Sequence, residues 1–187
     1  DGSGIVLAAE QIYGVSIKKI SGSDLHEFLL DKINKKNGKV FYLGSSINTL
    51  EKILAKVKKN YPNIILESHS PSFEKIFSDN ENRAIVKKIN TFEPDVLFIG
   101  MTAPKQEKWL HSQKKYINFK IGCSIGAVFD FYAETVGRPN IYVRKLFGES
   151  LPRFAKEPKR LWKRNLVSAP LFIIEILKFK FKTLKND

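Results

Sequence analysis

Residues 94–109 read PDVLFIGMTAPKQEKW, and this stretch decides the fold. Its apolar run at 96–99 follows Pro94 and is typical of a strand buried on both faces of a parallel sheet. The strand runs directly into Gly100, and a short helix is predicted over residues 106–112 after the loop. A buried strand, a tight loop and a helix in this order form one repeat of an α/β fold.

The same alternation recurs on both sides of this stretch. Further strands are predicted at residues 5–8, 39–43, 64–66 and 119–122. Helices are predicted after an N-cap at Ser23, around residues 50–57 and over residues 82–90. The sequence therefore predicts an α/β fold over residues 1–137, a Rossmann-like parallel sheet with helices on both faces. Residues 138–187 change in composition and predict a basic, partly helical C-terminal appendage.

Basic residues concentrate in that appendage. Thirteen basic and four acidic residues lie in 138–187, against nineteen and fifteen in 1–137, in a chain of 187 residues with net charge +13. From Pro170, apolar and lysine side chains fall mostly on opposite sides of a helix over about residues 170–185. This pattern predicts a helix that docks on an anionic membrane surface. The alternative is a helix that packs on the domain or mediates a homo-oligomer.

Several classes of protein are disfavoured by what the sequence lacks. The single cysteine, Cys123, is interpreted as a small core residue and excludes a disulfide framework or a cysteine-based zinc site. The three histidines show no metal-ligand spacing, and no apolar run approaches the roughly 18 residues of a membrane span. The basic charge accompanies no recognised nucleic-acid module, which argues against a nucleic-acid partner. The chain starts at Asp1 without a methionine, so we expect further sequence to precede it.

Two loops should meet at the carboxyl edge of the sheet, where parallel sheets bind their ligands. Gly44 and Ser45 follow a strand and begin a helix, which is either a phosphate seat or a simple turn. The second loop offers a tight backbone path, a cation for a phosphate and polar groups for a sugar or base; its residues are Gly100, Pro104, Lys105, Gln106 and Glu107. The alternative interpretation of this second loop is that it is an ordinary N-terminus of a helix, with charged side chains that only contact solvent.

Two further candidate sites lie next to other predicted strands, one directly after the strand at 119–122 and one before the strand at 5–8. Gly126 and Ala127 place small residues where a ligand can approach the backbone, and Asp130 is either an orienting acceptor or a structural acid. Asp1 is a candidate general base, or a solvated terminal carboxylate. No Asp-x-Asp pair, Walker A loop, G-x-G-x-x-G or G-x-S-x-G motif is present, so kinase, dehydrogenase and hydrolase functions lose their usual support.

Taken in order, these motifs resemble the WecG/TagA/CpsF bacterial glycosyltransferases (glycosyltransferase family 26). The resemblance covers nearly the whole chain, and its motifs are Asp1-Gly2-x-Gly4, Leu43-Gly44, Pro94-Asp95-Val96-Leu97-x-x-Gly100, Pro104-Lys105-Gln106-Glu107-x-Trp109, Gly126-Ala127-Val128-Phe129-Asp130-Phe131, Arg138, Glu149, Arg153, Glu157-Pro158-x-Arg160 and Arg164.

The resemblance implies transfer of a sugar from a UDP-sugar to a polyprenyl-diphosphate-linked acceptor at the cytoplasmic face of the bacterial membrane. It implies an inverting reaction without a metal or another cofactor, in teichoic acid, capsule or related polysaccharide synthesis. N-acetylmannosamine or its uronate is the first expectation for the sugar. By position, Asp1 matches the general base and Gln106 lies in the substrate-contacting loop. Arg153 matches an appendage residue for the leaving diphosphate, with help from Arg160 or Arg164.

The chain also departs from the family pattern. Glu134 stands where a Gly is usual, Asn140 lies in a changed Arg-Ala-Pro element, and Ser150 replaces a Trp. Pro152 likewise replaces a Tyr before Arg153. These changes prompt an alternative function, that of a non-catalytic relative that binds a UDP-sugar or acts as a membrane scaffold.

Overall fold

The computed structural model describes residues 2–135 and 162–183, which form two compact units. One unit runs over Gly22–Gly137, and the other combines Asp1–Ser21 with Arg138–Asp187. The first contains helices α2 (Gly22–Asn34), α3 (Ile47–Asn60), α4 (Asp79–Phe92), α5 (Lys105–Gln113) and α6 (Val128–Tyr132), and strands β1 (Lys39–Gly44), β2 (Ile65–His69), β3 (Val96–Gly100) and β4 (Ile121–Ser124). The second contains α1 (Ser3–Tyr13), a π-helix (Lys163–Ser168) and α7 (Ala169–Thr183).

The sheet of the first unit is parallel throughout, in the order β2-β1-β3-β4. Every residue of β3 is buried, as its continuous apolar run predicts. Alternate strand residues divide the core: Val40, Tyr42 and Phe98 pack with α2, α3 and α6. Phe41, Leu43 and Ile99 pack on the opposite face with α4 and α5. The predicted α/β fold with helices on both faces is confirmed for these residues.

Two helices of this unit, α3 and α4, begin at side-chain caps. The Ser46 hydroxyl accepts from the Thr49 N–H at the start of α3, and the Ser78 hydroxyl accepts from the Glu81 N–H at the start of α4. The prediction that Ser23 is an N-cap is wrong. α2 begins at Gly22, so Ser23 lies inside the helix, and its buried hydroxyl has no partner among the described residues.

The strand predicted at residues 5–8 is also wrong, because these residues lie inside α1. The apolar run continues into Leu-Ala-Ala-Glu-Gln, a series of good helix formers. Gly14 then ends the helix in a left-handed conformation, with φ 65°, and its N–H donates to the Glu10 carbonyl. A short apolar run does not by itself distinguish a strand from a helix segment.

Helices α1 and α7 contact each other within the second unit. Gly4 lies so close to the Phe172 ring that a Cβ there would be 3.0 Å from it, and the Lys180 ammonium donates to the Gln11 amide oxygen at 3.1 Å. Ile176 is the one apolar residue of α7 that is buried among the described side chains. The predicted helix near residues 170–185 is therefore present, as α7. No helix in the described ranges is long and apolar enough to cross a membrane.

Candidate active site

The strand order reverses between β1 and β3, which makes their carboxyl ends the binding crevice of this sheet. β1 connects through α3 to β2 on one side, and β3 connects through α5 to β4 on the other. Gly44 and Gly100, the last residues of the two strands, are register partners. The two loops singled out in the sequence thus begin side by side.

Both glycines at this point are required by their surroundings. Gly44 has φ 118°, and a Cβ on it would lie 2.5 Å from the Gly100 carbonyl oxygen. A Cβ on Gly100 would lie 2.3 Å from the Phe129 ring. Both glycines are buried, and protein atoms fill the space that each Cβ would take, so the missing side chains allow β1, β3 and α6 to pack closely below the crevice.

The loop after β1 is held by a neighbouring loop as well as by its own cap. Ser45 has φ 60°, and its carbonyl accepts from the Ser70 hydroxyl at 2.7 Å. Ser46 then caps α3, which points its N-terminus at the crevice. Because a helix N-terminus favours anions, this arrangement is compatible with a phosphate beside Gly44 and Ser45.

Gln106 joins three predicted parts of the site. Its side chain is buried, its Oε1 accepts from the Met101 N–H at 3.3 Å, and its Nε2 donates to the Glu107 carboxylate at 2.7 Å. A Cβ on Gly126 would lie 3.5 Å from both atoms of the Gln106 amide. The loop after β3, the start of α5 and the loop after β4 therefore meet at this amide.

Ala127 and Asp130 lie at the start of α6, directly after Gly126. Ala127 is the N-cap residue, and Asp130 lies in the first turn, where a carboxylate is favoured by the helix dipole. The Asp130 carbonyl accepts from the Thr135 N–H at 3.1 Å and so helps to end the helix. Phe129 lies between them and packs on Gly100 and on the Tyr42 ring. α6 is thus fixed against the ends of β1 and β3.

Lys105 and Pro104 are not gathered around the Gln106 amide. The Lys105 ammonium donates to the Glu74 carbonyl and lies 3.6 Å from the centre of the Phe77 ring. Partial burial lowers its pKa from the usual lysine value. Pro104 is the exposed N-cap residue of α5. Lys105 therefore ties α5 to the loop between β2 and α4.

That loop, residues 70–78, was missed at the sequence level. Ser70 holds Ser45, and Phe77 is buried beneath Lys105. The signal available in the sequence was the Ser-Pro-Ser run at 70–72 before the Ser78 cap, which is typical of an ordered loop.

The structure does not describe the side chains of four predicted site residues. Asp1, Arg153 and Arg160 lie outside the described residues. The backbone of Arg164 belongs to the π-helix, and its side chain lies outside the description. Within the described ranges, no group of three or more His, Cys, Asp or Glu residues is placed to hold a metal ion.

Comparison with known proteins adds a match along almost the full chain. A sequence model of the glycosyl transferase WecG/TagA/CpsF family matches residues 1–186. Among curated proteins, the chain is similar to enzymes from three strains of Staphylococcus aureus: MW2, MRSA252 and NCTC 8325 / PS 47. Each is named N-acetylglucosaminyldiphosphoundecaprenol N-acetyl-beta-D-mannosaminyltransferase and is 30% identical over 185 residues, which cover 99% of this chain and 70% of the relative.

Proposed function

This chain belongs to the WecG/TagA/CpsF family of glycosyl transferases, and from that membership we propose the reaction that it catalyses. It transfers N-acetylmannosamine, or the corresponding uronate, from a UDP-sugar to a sugar carried on a polyprenyl diphosphate. The product is an intermediate of a bacterial cell-wall or surface polysaccharide such as teichoic acid. The reaction inverts the anomeric centre and needs no metal ion.

The observation that carries this proposal is the similarity to N-acetylmannosaminyltransferases over 99% of the chain. The crevice between β1 and β3 supports it, because the N-terminus of α3 at this edge of the sheet suits the diphosphate of a nucleotide-sugar. The amide of Gln106 and the carboxylate of Glu107 are adjacent polar groups for the sugar or the base. In this proposal Gly44 and Ser45 contact the diphosphate, and Gly126 and Ala127 allow the donor to approach the backbone.

The proposed chemistry is a single displacement. Asp1 takes the proton of the acceptor hydroxyl while the hydroxyl oxygen attacks the anomeric carbon of the donor. The bond from that carbon to the UDP oxygen breaks on the opposite face, which inverts the configuration. Arg153, with Arg160 and Arg164, stabilises the negative charge that develops on the departing diphosphate.

Calorimetric titration with UDP, with and without EDTA, tests the donor and the absence of a metal. We expect UDP to bind with the same affinity in both conditions. Binding abolished by EDTA would overturn metal independence, and no binding by the intact protein would overturn the UDP-sugar donor. UDP binding without turnover on a polyprenyl-diphosphate acceptor would favour the non-catalytic alternative.

The role of Asp1 is tested by Asp1→Asn in the intact protein, compared with Asp31→Asn on the exposed side of α2. We expect a loss of kcat of about 100-fold or more for Asp1→Asn, because general-base catalysis contributes on that order. Asp31→Asn should leave turnover unchanged. Full turnover by Asp1→Asn would show that another group accepts the proton.

The membrane surface is the remaining partner in the proposal, since the acceptor is anchored by its lipid. Large apolar side chains of α7 are 40–54% exposed: Leu171, Phe172, Ile173, Ile174, Leu177 and Phe179. Lys178 adds positive charge, although it also pairs with Glu175 at 2.8 Å. Exposed apolar and basic side chains on one helix favour peripheral docking on an anionic leaflet.

A further inference from the structure

The two most exposed large apolar side chains in the described ranges lie on one loop. Phe73 is 83% exposed and Ile76 is 86% exposed, and both belong to the loop 70–78 between β2 and α4. Single exposed apolar residues are ordinary, but two that project from one short loop mark an interaction surface.

This exposure is built into the fold, because the residues around Phe73 and Ile76 are fixed. At one end, the Ser72 N–H and hydroxyl both donate to the Glu81 carboxylate, at 2.7 and 2.9 Å. At the other end, Phe77 is buried in the core and its carbonyl accepts from the Asn82 amide at 3.3 Å. In between, the Glu74 carbonyl accepts from Lys105. These bonds fix the backbone of the loop on both sides of its apolar tip, Phe73 and Ile76, whose side chains are exposed.

The tip lies at the edge of the sheet where the reaction is proposed. Ser70 of this loop holds Ser45, the residue after Gly44, and Lys105 is the first residue of α5 beside Gln106. An enzyme that glycosylates a lipid-linked acceptor has to bring this edge to the bilayer, because the acceptor diphosphate stays at the membrane surface.

We propose that Phe73 and Ile76 insert into the membrane interface and hold the carboxyl edge of the sheet against the bilayer. This inference rests on the proposed function for its lipid-linked acceptor. The loop carries one acidic and one basic residue, Glu74 and Lys75, so its net charge is zero. Its membrane contact is therefore apolar, and it contributes equally on neutral and anionic lipid and at low and high salt.

Insertion is measured directly with a nitroxide label on Phe73→Cys in the full chain. The native Cys123 is buried, and burial raises the pKa of its thiol, so the label reacts at the introduced cysteine. Tyr116→Cys is the matched control, because Tyr116 is 66% exposed at the opposite edge of the sheet. With phosphatidylcholine vesicles, the label at 73 should become accessible to oxygen and shielded from a water-soluble nickel chelate.

The control label should stay accessible to the nickel chelate. Equal behaviour of the two labels would overturn the inference. So would a label at 73 that is already immobile without lipid, because protein would then cover the loop.

The functional test compares Phe73→Ser with Ile76→Ser, as a double variant, against Ile65→Ser with Tyr116→Ser at the opposite edge. We expect the loop variant to lose about tenfold in kcat/KM on a long-chain polyprenyl acceptor in neutral vesicles. It should keep its kcat/KM on a short-chain, water-soluble acceptor, and the control variant should keep both.

The failures of the two proposals are distinguishable. If the label at 73 enters the bilayer but the unaltered protein transfers sugar to neither acceptor, the proposed function fails. If the protein transfers sugar but the label stays in water, the proposed function stands and this inference fails. An equal loss on both acceptors would place Phe73 and Ile76 at the substrates and would also overturn the membrane contact.

Discussion

At the residue scale, the backbone packing at the crevice requires glycine at two positions, because a Cβ would not fit there. Gly44 and Gly100 end neighbouring strands. Neither position has room for a Cβ, because a Cβ there would lie 2.5 Å or less from another heavy atom of the protein. At Gly44 the occupying atom is a backbone oxygen, which cannot rotate away as a side chain can. The sequence placed glycines after both strands, but their mutual contact follows from the register of β1 and β3, which no local pattern contains.

Gly44→Ala should therefore destabilise the protein far more than an alanine at another left-handed glycine. Gly126→Ala is the matched control: Gly126 also has positive φ, at 50°, but a Cβ there meets its neighbours at an ordinary 3.5 Å. We expect Gly44→Ala to lower the free energy of unfolding by at least about 2 kcal/mol more than Gly126→Ala, in urea denaturation. Equal losses would mean that backbone conformation, not the Gly100 contact, requires glycine at 44.

A second residue-scale feature is a buried histidine that the sequence did not identify as structural. His26 is 1% exposed, its Nε2 lies 2.8 Å from the Tyr42 hydroxyl, and the rings of Phe98 and Tyr132 pack on it. Nδ1 has no partner among the described residues. Helical spacing places His26 on the same face as Leu29, Leu30 and Ile33, and this is the face of α2 that is buried. Its ring contacts depend in addition on where α2 lies on the sheet, which no local pattern contains.

Stability should fall with acid because His26 is neutral in the folded protein. Burial lowers its pKa from 6.5 to about 4, so between these values the unfolded chain binds a proton that the folded protein does not. The contribution is complete above pH 6.5 and is lost as the pH falls towards 4, by about 3 kcal/mol in total. Urea unfolding across this window should show the decline. His26→Phe with Tyr42→Phe, which removes both partners, should lose that part of the slope, and an unchanged slope would contradict this role.

At the scale of elements, the sequence predicted all four strands of the first unit, but the ranges 64–66 and 119–122 only partly overlap β2 and β4, and the ends of the chain were predicted less well. Residues 96–99 form the predicted strand, because Pro94 and Gly100 limit the continuous apolar run to a length that favours a buried strand of a parallel sheet. Residues 5–8 are also apolar, but the helix-forming residues after them and the Gly14 cap decide for α1. The difference lies in the flanking residues, which a reading of the run alone leaves out.

The departure at Glu134 also has an explanation at this scale. The family resemblance has a glycine there, and Glu134 has φ 56°, the left-handed conformation that glycine adopts without strain. It follows α6, and its carboxylate contacts the Lys56 ammonium at 2.5 Å. In this chain the change therefore concerns how α6 ends.

Lys105 is predicted to act as a clamp between two elements. Lys105→Met removes the bond to the Glu74 carbonyl and the contact with the Phe77 ring, whereas Lys108→Met removes an exposed lysine of the same helix. We expect Lys105→Met to cost about 1 kcal/mol of stability and to speed amide hydrogen exchange in residues 73–77. Lys108→Met should do neither.

The same pair of variants separates the clamp from the phosphate-binding role expected from the sequence. If Lys105 acts only as a clamp, its ammonium does not reach the nucleotide, and Lys105→Met should change the Kd for UDP by less than about threefold. A rise in Kd of tenfold or more, with unchanged hydrogen exchange in the loop, would instead assign Lys105 to the diphosphate.

At the scale of the whole molecule, the two membrane contacts that we propose differ in their chemistry. The contact proposed for loop 70–78 has no net charge, whereas residues 170–187 carry four lysines, at 178, 180, 182 and 185, against two acidic residues. Each basic residue near an anionic leaflet contributes about 1 kcal/mol at physiological ionic strength, and that contribution is screened by salt. The two contacts should therefore respond differently to lipid charge and ionic strength.

Deleting residues 170–187 should weaken binding to anionic vesicles by about 100-fold at low salt, since it removes four lysines together with the exposed apolar side chains of α7. Vesicle co-sedimentation over a salt series measures it. The intact protein should lose affinity steeply with salt. The shortened protein, which keeps nine basic residues in 138–169, should lose affinity less steeply, and Phe73→Ser with Ile76→Ser should remove the binding that it keeps at high salt. Unchanged binding after the deletion would show that α7 does not contribute to the membrane contact. A remainder that still falls steeply with salt would locate the basic membrane contact elsewhere in the chain.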